Sequence, residues 1–375
     1  MKDLKVLIFI LLATLFSIFS YQKLHHISYL SFSDGAKFAD IARNLVNEGS
    51  YRSNFSNFVT ESADLTQPAP VSKWIPPLMP LAIAFFFKIF GVSDLNVLAT
   101  SALFYVFLVL TLYLLARKLW GSLTGLLAAT AIAFNPDFIN YAISGASEPL
   151  FAFEIVLVIY LLVNKKRWTN MAAFLIIILM FFTRPQAIIY IFGSILLYLL
   201  LNFPIKRALG LFAVVFFAGS LIFLATSSQG LFAVTQHISG VSPSNALRGA
   251  IQGVNFWQLF KKIFYNLYNF YRLIPQILSP FMWGFFIIGL IVPQNTKIQN
   301  SLKVTTVFMV LATFLVSAAT IPFFRYIHPV VPLVYLFATA TLVFFVKSQI
   351  SNHKSRFQLP NSILCGRTDF GDYFS

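Results

Sequence analysis

A few charged residues stand out for the chemistry that their types and positions allow. Asp34, in Ser33-Asp34-Gly35, follows the first apolar run closely. A carboxylate in a largely apolar setting can act as a general base and take the proton from an attacking hydroxyl. The plainer account is a solvated cap for a helix beginning near Ala36. Glu148, in Ser147-Glu148-Pro149, could hold an acceptor or orient that base. Its plainer account is an acid favoured by a helix dipole, beside a first-turn proline. Arg184, in Thr183-Arg184-Pro185, lies between two short apolar runs, where an arginine is costly unless paired. Guanidinium binds phosphate oxygens in pairs, so a carrier phosphate would satisfy it. Pairing with Glu148 or another acid, or snorkelling to an interface, would do so as well. Arg325 and Tyr326, with His328 nearby, offer a second cation against charge developing on a leaving phosphate. Lys73, beside Trp74, has the same reading, and for both groups the alternative is an interface anchor.

Other chemistries have less support. His25-His26 lack acids or histidines at metal-ligand spacing, and the single cysteine, Cys365, excludes an internal disulfide framework and a cysteine metal cluster. No metal or other cofactor is expected, although Asp34 and Glu148 together could hold a divalent ion. The chain carries neither a phosphate-cradling Walker loop nor a dinucleotide fingerprint, so nothing supports a soluble nucleotide donor.

The elements that must position these residues are membrane helices. Of 375 residues, 58% are hydrophobic and only 10% charged, where a soluble domain has about 25% charged residues. Apolar runs repeatedly approach the ~20 residues that cross a bilayer. The net charge of +15 does not imply nucleic acid, because Lys and Arg punctuate the apolar runs and form no continuous basic face. They read as the positive-inside signature of membrane topology. Residues 4–20 have the apolar character of a signal peptide, but no small-residue cleavage site follows, and they are taken as the first span.

The pattern predicts an all-α bundle of about ten spans within residues 1–347, with a short cytoplasmic tail at 348–375. The spans fall near 5–21, 95–116, 121–135, 149–163, 169–183, 187–201, 208–225, 281–292 and 304–320, with the last ending at Lys347, and the pair at 169–183 and 187–201 reads as a short hairpin that need not reach the far surface. Two outer segments, 22–94 and 226–279, carry interfacial helices. The first holds an amphipathic helix at 36–48, with Phe38, Ile41, Ala42 and Leu45 on one face. It also holds a proline-broken helix at 76–90, whose reading as a crossing would put every later basic turn on the wrong side. The second holds an aromatic-belt helix at 256–271. Both termini then lie inside, and nine of the twelve acids lie on or near the outer side. Chemistry is expected at that face.

In order and spacing, these pieces resemble the GT-C superfamily of membrane glycosyltransferases. The resemblance rests on Asp34 soon after span 1, Ala39-Asp40-Ile41-Ala42-Arg43-Asn44-Leu45 with Gly49, and Pro76-Pro77-Leu78 running to Ile89-Phe90-Gly91. It continues through Arg117-Lys118-Leu119-Trp120-Gly121, Ser147-Glu148-Pro149, Thr183-Arg184-Pro185 and Arg325-Tyr326. It covers residues 1–345, most strongly 30–190, and is closest to the branch with protein O-mannosyltransferases and lipid A aminoarabinose transferases (glycosyltransferase family 39). Two departures stand in the first loop, where Gly35 replaces a second acid and Phe38 a tyrosine, and the large soluble outer domain of many relatives is not seen.

The resemblance implies a hexosyl- or pentosyltransferase with a polyprenyl- or dolichyl-phosphate sugar donor. It implies inverting single displacement outside the membrane, onto a glycolipid, polysaccharide or protein hydroxyl, and the lean architecture suits a prokaryotic plasma membrane. Asp34 matches the first-loop catalytic acid, Glu148 a second outer acid, Arg184 a basic residue after the fifth span, and Arg325 a late basic residue near the donor phosphate. Two other classes carry the same architecture: a flippase or transporter of lipid-linked glycans, and a noncatalytic membrane scaffold. A transporter would bury ionisable residues near the midplane of several spans, whereas most acids here cluster at one face.

Overall fold

The computed structural model describes residues 2–25, 30, 33–53, 75–226, 256–292, 294–320 and 322–357. All regular elements among them are helical. Lys73 and Trp74, His26, Cys365 and most of the second outer segment lie outside the described residues.

The chain opens with α1 (Lys2–Leu24), then α2 (Ser33–Glu48) and α3 (Leu78–Phe90). The amphipathic stripe of α2 does what its spacing predicts: Phe38, Ile41 and Ala42 are buried, and Leu45 packs beside them. Phe38 and Ala42 meet Met79, Ile83 and Phe87 of α3, forming a small core that also takes in Val97 and Leu150. At 13 residues, α3 is well short of the ~20 needed to cross a bilayer.

The centre of the molecule is α4 (Asp94–Trp120), capped by Ser93, whose hydroxyl accepts from the Asn96 amide. It packs against α5 (Ser122–Ala133) and α7 (Glu148–Val163), with the short α6 (Pro136–Ala142) between them. Tyr105, Leu108, Leu112 and Tyr113 are wholly buried in this contact. Next come α8 (Arg167–Phe181), α9 (Ala187–Asn202), α10 (Ile205–Thr226), α11 (Phe256–Ile277), α12 (Pro280–Ile291) and α13 (Lys297–Ala319). Two 3-10 turns, Phe324–Tyr326 and His328–Val330, lead into α14 (Val331–Phe357).

Among the described residues, four stretches are long and apolar enough to cross a membrane alone: Leu4–Leu24, Asp94–Trp120, Lys297–Ala319 and Phe324–Gln349. Two bent pairs, α5 with α6 at 65° and α11 with α12 at 111°, raise the number to as many as six when each pair is counted as one span. The predicted crossings at α7, α8 and α9 are 16, 15 and 16 residues long, about 24 Å against a hydrocarbon core of about 30 Å. The chain is a multi-pass helical membrane protein.

The basic turns meet at one end of the bundle. Lys118, near the end of α4, donates to Asn164 at the end of α7. Trp120 donates to Gln294 (3.2 Å) and Gln299 to the Leu119 carbonyl (2.7 Å), joining the α4–α5 turn to the α12–α13 turn. Lys297 reaches the Leu201 and Phe203 carbonyls at 3.2 and 3.3 Å, drawing in the α9–α10 turn. Glu148 starts α7 and Asn164 caps its other end, so the acid lies one helix length from this basic cluster.

Candidate active site

At the end opposite the basic turns, the start of α2, the start of α7, the α8–α9 junction and the 3-10 turn before α14 converge. Two glycines allow the approach. A β-carbon on Gly35 would lie 2.2 Å from the Ser144 carbonyl oxygen, so only glycine lets α2 abut the loop ahead of α7. Gly145, on the other side of that contact, has φ +70° and would place a β-carbon 2.6 Å from Val97. The loop is pinned from below by Ser101, which donates to the Ala142 carbonyl (2.7 Å) and accepts from the Gly145 amide (3.1 Å). The replacement of a second acid by Gly35 thus has a steric counterpart in this fold.

The start of α3 is tied to the same place, because the Leu78 amide donates to the Phe182 carbonyl at 3.0 Å. Tyr51, in the loop after α2, donates to the Ile75 carbonyl at 2.8 Å. Burial pushes its hydroxyl up to about 12, so it remains a donor at physiological pH.

Four charged side chains form a chain of ion pairs. Arg325 meets Asp34 at 2.7 Å and stands 4.0 Å from Glu148. Glu148 in turn meets Arg184 at 2.6 Å, and Arg184 donates to the Ser147 hydroxyl at 3.3 Å. The Glu148 and Arg184 side chains are 2% and 7% exposed, a burial tolerable only because each neutralises the other. Both Arg325 and Arg184 lie over the Tyr326 ring, at 5.5 and 5.7 Å from its centroid. A guanidinium thus occupies the space between the two carboxylates considered for a divalent ion.

Two further contacts hold the parts that carry the arginines. Glu154, inside α7 and 3% exposed, accepts from the Thr183 hydroxyl at 2.9 Å, directly beside Arg184. His328 donates from Nδ1 to the Phe324 carbonyl at 3.0 Å, and its Nε2 lies 3.0 Å from Asp137. It is buried against Phe138 and Tyr141 and clamps the Arg325 turn to α6.

The ion pairs border a cavity of about 380 Å³. Asp34, Lys37, Arg184, Arg325 and Tyr326 line its polar end, while Pro185, Ile188, Ile189 and Val316 supply an apolar wall between α9 and α13. Of the residues singled out in the sequence, Asp34, Glu148, Arg184, Arg325 and Tyr326 come together, while Lys73 lies outside the described residues. Asp34 sits inside the first turn of α2 and not ahead of it as a cap. Arg184 makes the pairing with Glu148 that was one of its three alternatives. Sequence reasoning passed over Lys37 and the positioning contacts of Glu154 and Asp137. The signal for Lys37 was its place three residues after Asp34, which puts both on one helix face.

Comparison with known proteins bears on this arrangement. The dolichyl-phosphate-mannose-protein mannosyltransferase family model matches residues 75–232. A protein of Aquifex aeolicus (strain VF5) is 30% identical over 207 residues, covering 53% of this chain and 38% of that protein. ArnT from Cupriavidus metallidurans bound to undecaprenyl phosphate superposes with a TM-score of 0.56 at 15% identity, over 89% of this chain and 59% of that one. The archaeal oligosaccharyltransferase AglB from Archaeoglobus fulgidus, in complex with an inhibitory peptide and a dolichol-phosphate, gives 0.52 at 15% identity, over 94% and 51%. The chain has the GT-C fold. In the GT-C fold as represented by these two structures, it corresponds to 59% and 51% of their lengths.

Proposed function

We propose that the chain is a glycosyltransferase that takes a sugar from a polyprenyl-phosphate donor at the outer face of the membrane. The observation that carries the reading is one cavity in which Asp34, Arg184 and Arg325, the two arginines linked through Glu148, line a polar end, and Pro185, Ile188, Ile189 and Val316 form an apolar wall. A donor of this kind has a phosphate and a long apolar tail, and the cavity offers a partner for each. ArnT was captured with undecaprenyl phosphate and AglB with a dolichol-phosphate, and both share this fold.

The chemistry follows from the geometry. In the resting site Arg325 neutralises Asp34. A donor phosphate competes for Arg325 and leaves the Asp34 carboxylate free to accept a proton. Asp34 takes the proton of the acceptor hydroxyl while that oxygen bonds to the anomeric carbon. The bond from that carbon to the phosphate oxygen breaks, and its electron pair leaves with the phosphate. Arg184 and Arg325 stabilise the charge gained there. A single displacement inverts the anomeric centre. The arrangement of basic turns and acids at opposite ends of the bundle supports the outer location under the positive-inside rule.

The test is transfer by the full chain in nanodiscs, given radiolabelled polyprenyl-phosphate sugars and membrane extract as acceptor. Release of polyprenyl phosphate with an inverted glycosidic product supports the reading. Intact donor across the panel contradicts it.

A further inference from the structure

The turn that carries Arg325 is fixed through its own backbone. The Phe324 carbonyl belongs to the peptide unit that leads into Arg325. It accepts from His328 Nδ1 at 3.0 Å and from the Ile327 amide at 2.8 Å. On the other side of the ring, His328 Nε2 stands 3.0 Å from the Asp137 carboxylate, in the first turn of α6. A backbone carbonyl and a carboxylate only accept, so each ring nitrogen faces an acceptor. Neutral imidazole carries one N–H and would turn a bare lone pair on one of these oxygens; imidazolium donates to both. The Tyr141 hydroxyl, also near Nδ1, is 3.5 Å away and too distant to displace the carbonyl. The His328 side chain is 4% exposed, so a charge on it is tolerable only against a carboxylate. On the Tyr141 side the assembly adjoins Glu148, Arg184 and Arg325, which pair among themselves and with Asp34. On the Asp137 side it adjoins two phenols, Tyr21 of α1 and Tyr335 of α14.

We infer that His328 is a positioning residue for the transfer. As imidazolium bridged to Asp137, it fixes the peptide ahead of Arg325, and with it the direction in which Arg325 meets Asp34 and the leaving phosphate. Loss of the second ring proton sets a lone pair against one of the two oxygens and loosens the turn. Transfer therefore falls as pH rises through that loss, whereas its acid limb belongs to protonation of Asp34, the base. The inference rests on the reading of Arg325 as part of the reaction.

The test follows single-turnover transfer and thermal melting of the full chain in nanodiscs between about pH 5 and 9, which brackets the ordinary histidine titration. The donors are a panel of radiolabelled undecaprenyl-phosphate sugars, with membrane extract as acceptor. Asp137→Asn keeps an acceptor before Nε2 without its charge. It should retain transfer at the acidic end and move the alkaline fall to lower pH by about one unit. His328→Gln carries no charge. It should abolish the alkaline fall and slow transfer by about ten- to a hundredfold, the size of a misplaced catalytic group. Wild type should melt above Asp137→Asn at the acidic end, with the gap narrowing as pH rises. Should Asp137→Asn not fold, His328→Gln supplies the same melting comparison. A gap that is absent or independent of pH overturns the charged clamp. A narrowing gap with an alkaline fall that Asp137→Asn leaves in place overturns the positioning role alone. If wild type consumes no donor at any pH, the proposed function falls and the positioning role with it, while melting still decides the clamp.

Discussion

Arg184 and Glu148 show how a buried ion pair couples stability to a site. Each is almost fully buried and matched to the other. Removing Arg184 leaves the buried Glu148 with only Arg325, 4.0 Å away, and breaking a buried pair of this kind costs about 3–5 kcal/mol. Arg184→Ala is therefore expected to lower thermal stability and to weaken donor binding, read by melting in nanodiscs and by binding of radiolabelled undecaprenyl phosphate. Arg184→Lys should not restore binding fully, because an ammonium cannot meet Glu148 and Ser147 with one rigid fork. Unchanged melting in Arg184→Ala would contradict the pairing. These charged residues were legible in the sequence because few others interrupt its apolar runs. What the sequence left open was the partner of each. Arg184 had three readings, and only the fold selects Glu148, 36 positions earlier in the chain. Lys37 went unnoticed because a lone lysine on an amphipathic helix reads as solvated until the opposite wall of its cavity is known.

At the scale of elements, the approach of α2 to the loop ahead of α7 decides whether Asp34 faces Arg325. Gly35→Ala would place a methyl group 2.2 Å from a backbone oxygen that cannot swing aside. The start of α2 must then move, at a cost of about 1–3 kcal/mol. The expected outcome is a folded protein with a modestly lower melting temperature and a large loss of transfer, checked by melting and by donor turnover. Wild-type turnover would show that the close approach is dispensable. The core face of α2 was readable from periodicity, and Phe38, Ile41, Ala42 and Leu45 fall where it put them. Its first turn was not, because an acid near a helix start suits both a cap and a first-turn position. The aromatic helix α11 runs to Ile277, beyond its expected end at residue 271 and with Pro275 inside it. Local signals mark such ends poorly when tertiary contacts, here Asn266 to the Ala318 carbonyl and buried Phe270, hold the helix in place.

At the scale of the whole molecule, the basic turns and the candidate site sit at opposite ends of α4 and α7. That polarity was legible from the placement of Lys and Arg alone. The shortness of the α8–α9 hairpin was legible as well, but the shortness of α7 and the angles between helices were not. The apolar run at 149–163 did not tell α7, about 24 Å long, from a full crossing, and composition does not show the 65° break between α5 and α6. The proposed orientation is testable with single cysteines in a Cys365→Ser background. Val92→Cys, in the exposed turn before α4, should react with a membrane-impermeant maleimide on intact cells. Lys166→Cys, at the basic end, should react only after permeabilisation. The reverse pattern would place the site on the cytoplasmic side.

The central claim is that Asp34 is the base of a lipid-phosphate-dependent sugar transfer. Its most direct test compares wild type with Asp34→Asn on a panel of radiolabelled polyprenyl-phosphate sugars, measuring both donor binding and donor consumption. The account predicts that wild type consumes one donor. It predicts that Asp34→Asn still binds that donor but turns over about 10²–10⁴-fold more slowly, the usual contribution of a positioned base. Equal turnover by the two proteins would contradict it.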